Sequence, residues 1–494
     1  MLSAPFIIGV VMPIGWKDLR DWLQELESIG QLKVMRGVSL DDIGAITDVN
    51  SKNQGPVLLF DEIPGYKKGF RLLTSIMVNP AQMAVTLGLD PHISLRELLE
   101  WFRGKHNKWI EESRKYEPVY VEKAPILENV VSPPDIDLTI FPVPKWHYLD
   151  GGPYIGTADA VITRDPDEGW VNVGTYRSQL FSKDEVGLWI SPEHHGAIQR
   201  EKYFARGEKF PVVICYGIDP LLYLVSSWGI PWGVSELNYA GAIRGEPIEV
   251  VKGRDTGLPI PANAEIAIEG YIDPNAPPRE EGPFGEYSGT YAGGKEPVPV
   301  VKVTRLYYRN DPILTGAPPA KGRWGSFSFL NAVKTSTLVR DTLDRIGVLG
   351  VQAVWVPEFA SMDIAIVQIK QLYDGHATQV GILVSQLLAG AITKYIIVVD
   401  EDINPFDIED VLWAIATRTN PEEDIIMLKD TPSNRLEPAI VKRPPEKWTI
   451  SRAIIKAVKP FHLIKEFPPT AIEPEEKRRR VFEKYGKDLK WTSY

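Results

Sequence analysis

The sequence predicts a mixed α/β protein of several domains, and three observations carry that prediction. Its 494 residues exceed the size at which a single hydrophobic core stops growing, so the chain must divide. Helix-period and strand-period segments alternate towards both ends, whereas the middle reads mostly as strands. A proline-rich connection, "ENVVSPPDIDLTIFPVPKW" from Glu128 to Trp146, separates the first behaviour from the second. The expected organisation is an N-terminal α/β domain over residues 1–125 and a strand-rich domain over 126–322. A C-terminal α/β domain over 323–445 and a linker with helices over 446–494 follow.

The first element is "WKDLRDWLQELESIGQLKVM", where Leu19, Trp22, Leu23, Leu26 and Ile29 recur at helical spacing and Gly30 suits the stop. "QLKVM" then reads as a strand, followed by strands "PVLLF" and "FRLLTSI" and helices "PAQMAVTLGL" and "SLRELLEWFRG". In the middle, "TADAVITR", "WVNVGTYRSQLFS", "KFPVVICYGI", "LYLVSS", "AEIAIEGYI" and "PVPVVKVTRLYY" read as strands, with "DPDEG" a hairpin turn between the first two. One helical patch, "SPEHHGAIQREKYFARG", interrupts them, and the count suggests a barrel-like or sandwich domain. Helix "FLNAVKTSTLVRDTLDRIG" opens the last part. Strands "VQAVWV", "DIAIVQIK", "KYIIVVDEDI" and "DIIMLK" alternate there with helices "HATQVGILVSQLLAG" and "DIEDVLWAIATRT", the pattern of an α/β layer. A prolyl linker, "KRPPEKW", leads to terminal helices.

Bulk properties exclude several functions. A formal charge of −10 argues against nucleic acid, whose phosphates demand a basic face. The basic run "EEKRRRVFEKYGKDLK" is broken by acids and reads as a solvated helix. Cys215 is the only cysteine and lies in the apolar run "PVVICYGI", so a buried thiol and a reducing, cytoplasmic setting are expected. No 18 apolar residues run together, so no membrane span is expected. The opening "MLSAPFIIGVVMPIGW" is a poor signal peptide, and Met12 is an alternative start.

Familiar motifs fail. "GTYAGGKE" (Gly289–Glu296) nearly matches a phosphate loop, but Glu296 stands where a Mg²⁺-binding hydroxyl is required and no helix pattern follows. No G-x-G-x-x-G follows a strand and opens a helix, and "HHG" is not H-E-x-x-H. What remains is a set of polar residues in unusual places. In "REEGPFGEYSG", Glu281 and Glu286 lie five apart, a spacing that suits neither helix nor strand, with Pro283 and two glycines between them marking a fixed turn. A solvated acidic loop is the plain alternative. "NVGTYR" holds Asn172 and Arg177, "EHHG" pairs His194 with His195 at a helix start, and "SELNYAGAIRG" sets Glu236 among apolar and small residues. Singly, Asn172 reads equally as a turn residue, the histidines as surface residues, and Glu236 as a carboxylate favoured by a helix dipole.

Together these motifs, with "TKYIIVVDEDIN" and the "DLRDWLQELESIGQL" opening, resemble the UbiD family of reversible decarboxylases, which use prenylated FMN. The resemblance runs nearly the full length and implies an N-terminal α/β domain, a central split β-barrel that binds the flavin, and a C-terminal α/β domain that supports a homodimer or higher homo-oligomer. It implies that Asn172, His195 and Glu236 ligate a divalent metal, usually Mn²⁺, which grips the cofactor phosphate. Oxygen and nitrogen ligands without thiolate suit a Mn²⁺- or Mg²⁺-like ion. A K⁺ or Na⁺ near the Trp170 and Ser226 carbonyls is a further implication. Asn172, Val173, Gly174, Thr175, Tyr176, Arg177, His194, His195 and Glu236 would contact the cofactor, as would Lys394, which otherwise reads as an exposed residue at a strand start.

The resemblance makes Arg177, Glu281 and Glu286 the catalytic network. Decarboxylation leaves carbanion character on carbon, so it needs an electron sink and then a proton. Two carboxylates held close disfavour double ionisation, and an arginine stabilises the ionised one. Glu286 is therefore expected to be the proton donor and Glu281 its ionised partner. The substrate would be an aromatic, heteroaromatic or α,β-unsaturated carboxylic acid, exchanged with CO₂, and a UbiX-like flavin prenyltransferase would supply the cofactor. Tyr287, Lys321, Arg323, Trp324 and Phe327 are candidate pocket residues, although Lys321 and Arg323 read equally as surface cations. Two other classes compete. An ordinary FMN oxidoreductase leaves Arg177, Glu281 and Glu286 without a joint role. A non-catalytic assembly protein is disfavoured because all six positions carry competent residues.

Overall fold

Asp18 opens the first helix, Leu19–Ser28, by accepting from the Arg20 and Asp21 amides, and the apolar face Leu19, Trp22, Leu23 and Leu26 turns into the core. The computed structural model describes residues 14–322, 326–387, 393–440, 443–444 and 447–491. Met12, Arg323 and Trp324 lie outside the described residues.

The first sheet has four strands in the order Leu32–Arg36, Val57–Asp61, Arg71–Thr74 and Ile313–Thr315. Its last strand comes from the far end of the middle segment and pairs in parallel with Arg71–Thr74, so the sheets do not follow the 126–322 division drawn on the sequence. Two helices go beyond the sequence reading, Leu40–Lys52 and Lys105–Ser113. The first buries Ile43, Gly44, Thr47 and Ser51, a face of small and polar residues that leaves no apolar stripe to recognise.

The middle sheet is antiparallel. Its order is Tyr154–Gly156, Ser178–Ser182, Glu185–Leu188, Val300–Tyr308, Ile266–Ile272, Phe210–Tyr216, Asp159–Arg164 and Val171–Gly174, with Asn129–Val131 also paired to Val300–Tyr308. Asp165–Gly169 forms the expected hairpin turn, and Cys215 is fully buried. One expected strand is a helix: "LYLVSS" falls in Pro220–Ser226, started by Asp219 and Pro220. All seven of its residues are buried, and a short apolar run buried on every side shows no period to distinguish helix from strand.

The last sheet runs Val351–Trp355, Ile364–Ile369, Tyr395–Asp400, Thr449–Ala457, Ile425–Pro432. Alternation along Tyr395–Asp400 covers both faces. Ile396 and Val398 pack with Val380 and Val384 of the His376–Leu387 helix, whereas Ile397 and Val399 pack with Val411 and Ala414 of Ile408–Arg418. The expectation of only linker and helices after residue 446 needs correction. Thr449–Ala457 is an inner strand, parallel to Tyr395–Asp400 and antiparallel to Ile425–Pro432. Its β-branched residues and buried Ala453 and Ile454 explain the placement, which the charged Arg452 and Lys456 disguise in the sequence. Beyond it, the Glu475–Leu489 helix is solvated as expected. Among the described residues no helix is long and apolar enough to cross a membrane.

One buried ionic cluster joins the first helix to the middle sheet. Arg20 donates twice to Glu265, both bonds 2.8 Å, and Arg309 adds a bond of 3.2 Å to the same carboxylate. Glu265 is fully buried, so its removal would strand the largely buried Arg309 with Asp18 as its remaining carboxylate partner. Glu265→Ala should therefore cost about 3–5 kcal/mol, read as a lower midpoint of the first urea transition.

Candidate active site

Arg177 lies in the break between the strands Val171–Gly174 and Ser178–Ser182, where its guanidinium meets two acids more than a hundred residues away. Nε and Nη2 each donate to Glu281 at 2.9 Å, a two-pronged pair, while Nη1 donates to Glu286 Oε1. The Tyr154 hydroxyl donates to Glu281 Oε1 at 2.7 Å. Glu281 is 1% exposed and Glu286 6%. Burial works against the charge of Arg177, but the Glu286 and Glu281 carboxylates outweigh it and hold its pKa above the ordinary value. Burial and the Glu281 charge raise the Tyr154 pKa far enough to keep it a phenol, hence a donor.

The turn between the acids shows why their spacing is irregular. Glu281 ends the short strand Arg279–Glu281, which pairs with Glu296–Val298, so one of the two acids does sit on a regular element. Gly282 follows at φ +91°, a conformation that favours glycine, and a Cβ there would lie 2.6 Å from the Gly294 carbonyl oxygen. The chain is then held by Gly285 N donating to Asp150 Oδ1 and by Glu286 N donating to the Thr290 carbonyl. The strand end and the turn together bring both carboxylates to one guanidinium.

This network opens on a cavity of about 590 Å³. Its walls include Trp189, Phe284, Tyr287, Phe327, Leu436 and Trp448. The Arg177 guanidinium carbon lies 5.2 Å from the Phe284 ring centre and 5.7 Å from that of Trp189. Arg435, at the same cavity, pairs with Glu296 and lies 4.6 Å from the Trp189 ring.

A second cavity, of about 370 Å³, adjoins it, since Thr175, Tyr176, Glu193, His194 and Phe327 line both. Asn172, His195 and Glu236 converge here. Asn172, 2% exposed, donates from Nδ2 to Thr163 Oγ1 across the strand pair, which leaves its Oδ1 as an available acceptor. Thr163 is in turn bonded to Gln199 at 2.6 Å. His195 opens the helix His195–Ala205, and the indoles of Trp170 and Trp232 stand edge-on to its ring at 5.6 and 5.2 Å. Burial lowers the pKa of both His194 and His195, favouring the neutral imidazole that a metal needs.

Glu236 opens the helix Glu236–Arg244 and accepts from Val173 N at 2.7 Å. Burial pushes its pKa up to about 8, the behaviour of a carboxylate placed where a cation belongs. Among the described residues no three His, Cys, Asp or Glu side chains converge as a ligand set. The trio reaches three ligands through the Asn172 amide, and an oxygen–nitrogen set of this kind fits a hard divalent ion.

The structure thus gathers Asn172, Val173, Gly174, Thr175, Tyr176, His194, His195 and Glu236 around one cavity. Arg177 and Glu286 line the other, and Glu281 is bound to that network. Of the candidate pocket residues, Tyr287 and Phe327 line the larger cavity, whereas Lys321 is exposed and lines neither. Lys394 lines neither cavity and pairs with Asp363 at 3.1 Å and Glu437 at 2.9 Å. The Trp170 and Ser226 carbonyls accept from Asp165 N and Thr175 N. The sequence reading missed Tyr154, Trp189, Arg435 and Lys334. The first three carry no local motif. Lys334 lies on the apolar–polar stripe of the Ser326–Arg345 helix and reads as an ordinary surface lysine, yet it lines the smaller cavity, where burial pushes its pKa down to about 8.

Comparison with known proteins identifies the family of the fold. The chain matches the N-terminal domain of 3-octaprenyl-4-hydroxybenzoate carboxy-lyase over residues 23–102, its Rift-related domain over 118–322, and its C-terminal domain over 328–457. It is 33% identical over 443 residues to the phenolic acid decarboxylase of Bacillus subtilis (strain 168), covering 86% of this chain and 89% of that protein. The UbiD-class enzyme HmfF from Pelotomaculum thermopropionicum, solved with FMN, superposes with a TM-score of 0.83 at 30% identity, over 93% of this chain and 98% of the other. An evolved dimeric form of that enzyme was solved with prFMN. The vanillic acid decarboxylase of Sedimentibacter hydroxybenzoicus, in an open form, superposes with a TM-score of 0.81 at 29% identity, over 96% and 99% of the two chains. Sequence, fold and the three matched domains together establish that this chain belongs to the UbiD family of carboxy-lyases.

Proposed function

We propose that the protein catalyses the reversible, non-oxidative decarboxylation of an aromatic acid, within a class that extends to heteroaromatic and α,β-unsaturated acids, using prenylated FMN. The observation that carries this reading is the single buried guanidinium of Arg177 bonded to both Glu281 and Glu286 at the mouth of an aromatic-walled cavity. The decarboxylase activities of the Bacillus and Sedimentibacter relatives support it. An oxidoreductase would leave this three-residue network without a task.

The residues divide the work. Glu281 takes two bonds from Arg177 and one from Tyr154, so it is held in place as the acceptor that positions the guanidinium. Glu286 takes one bond from Arg177 and lines the cavity, so it is the acid placed to deliver a proton to a substrate. As the bond between the substrate carbon and its carboxyl breaks, CO₂ leaves and the carbon keeps the electron pair. Glu286 then protonates that carbon and recovers its proton from water. In reverse, Glu286 removes the proton and the carbon takes up CO₂. Prenylated FMN, when bound, supplies the electron sink for the released pair. Trp189, Phe284 and Phe327 give that cavity an apolar wall, which lowers the local dielectric and strengthens each charge interaction at the site.

Asn172, His195 and Glu236 would hold a divalent ion against the cofactor phosphate, with residues 172–177 and His194 along the flavin. Lys394 remains part of this reading through the family resemblance. The cofactor would come from a UbiX-like flavin prenyltransferase.

The test is to co-express the protein with a flavin prenyltransferase, purify it without oxygen, weigh the released cofactor, and score CO₂ release across aromatic and acrylic acids. Plain FMN, or none, in folded and metal-bound protein that turns over no acid would sink the reading. In the same assay Glu286→Gln should keep metal and flavin and lose about 10²–10⁴-fold in kcat. His195→Ala should lose its divalent ion, measured by elemental mass spectrometry. Mn²⁺ affinity should also depend on pH in a set direction. Without a cation Glu236 is protonated below about 8, so metal uptake expels a proton. Affinity measured by titration should rise with pH towards 8 and level off above it, and Glu236→Gln should flatten that rise.

A further inference from the structure

The Ser326–Arg345 helix belongs to the C-terminal part of the chain, yet one face of it closes the smaller cavity of the central sheet. Phe327, Asn331 and Lys334 stand at i, i+4 and i+7, the spacing of one helical face, and all three line that cavity. Among the described residues the Lys334 ammonium makes one hydrogen bond, to the Ser227 carbonyl at 3.2 Å, and no ion pair. Glu193 and Glu236 line the same cavity without pairing with it. An ammonium has three donors, so Lys334 keeps two for a guest. Lys394 keeps only one donor, and Asp363 and Glu437 already answer its charge.

We propose that Lys334 binds the phosphate of the flavin mononucleotide from the side opposite the metal ligands, so that the C-terminal helix and the central sheet grip one anion between them. This rests on the reading that the site takes a phosphorylated flavin. A divalent ion and Lys334 bring three positive charges against the Glu193 and Glu236 carboxylates, so the metal-loaded cavity is net positive and favours an anion. A purely structural role is the competing account, in which Lys334 only caps the C-terminal end of the Pro220–Ser226 helix through the Ser227 carbonyl.

The two accounts separate by comparing FMN with riboflavin, which differ by the phosphate. With Mn²⁺ present, fluorescence titration of the full-length protein should show Lys334→Met weakening FMN about 10–100-fold. Riboflavin affinity should move less than about threefold, and Lys334→Arg should recover most of the FMN loss. In the wild-type protein, FMN but not riboflavin should shield Lys334 from reductive methylation, read by peptide mass spectrometry. That second measurement stands even if Lys334→Met fails to fold. Equal weakening of both flavins, unchanged FMN affinity, or absent shielding by FMN would overturn the role of Lys334 and leave the decarboxylase reading intact. Wild-type protein that bound neither flavin would overturn the cofactor reading and this inference with it.

Discussion

A buried positive charge that must be answered organises this molecule. The Arg177 guanidinium is largely buried, and the Glu281 and Glu286 carboxylates bonded to it offset the cost of that burial. Meeting that demand sets the rest of the site. Glu281 must end a strand, the chain must turn sharply at Gly282, and Tyr154 must donate into the remaining lone pair of Glu281. A cluster built this way is also poised for chemistry, because one acid is fixed by three donors and the other by one.

The same logic recurs in the adjoining cavity with the sign reversed. Glu236 is a buried carboxylate that no arginine or lysine answers among the described residues, and its raised pKa reports the deficit. Asn172 and His195 offer neutral donors beside it. One cavity thus carries paired charges, whereas among the described residues neither Glu236 nor Lys334 has an ion-pair partner in its neighbour.

Packing decides which parts of the chain share the work. The Arg20–Glu265–Arg309 cluster ties the first helix to the central sheet, and Ile313–Thr315 returns from the central segment to complete the first sheet. Phe329, Leu330 and Val333 bury one side of the Ser326–Arg345 helix in the core shared with the central strands. That anchoring places Phe327, Asn331 and Lys334 at the cavity. The three parts of the chain are therefore not independent modules around a site, since each depends on side chains from the next.

The sequence by itself determined what local chemistry can specify. Amphipathic helices such as Leu19–Ser28, apolar β-branched runs such as Ile364–Ile369, the hairpin at Asp165–Gly169 and the glycine-bound turn after Glu281 were all legible, because composition, period and turn residues act within a few positions. The motifs around Asn172, His195, Glu236, Glu281 and Glu286 stood out only as a set resembling one family, since each residue alone has a plain reading. Other segments were not legible. Pro220–Ser226 has no polar face, Leu40–Lys52 buries small residues, and the strand Thr449–Ala457 carries charges whose partners lie far off in sequence. Only the tertiary structure could place Lys334 at a cavity and Lys394 in an ion pair. Each lysine looks alike in a linear chain, and its role depends on whether folding brings it a carboxylate.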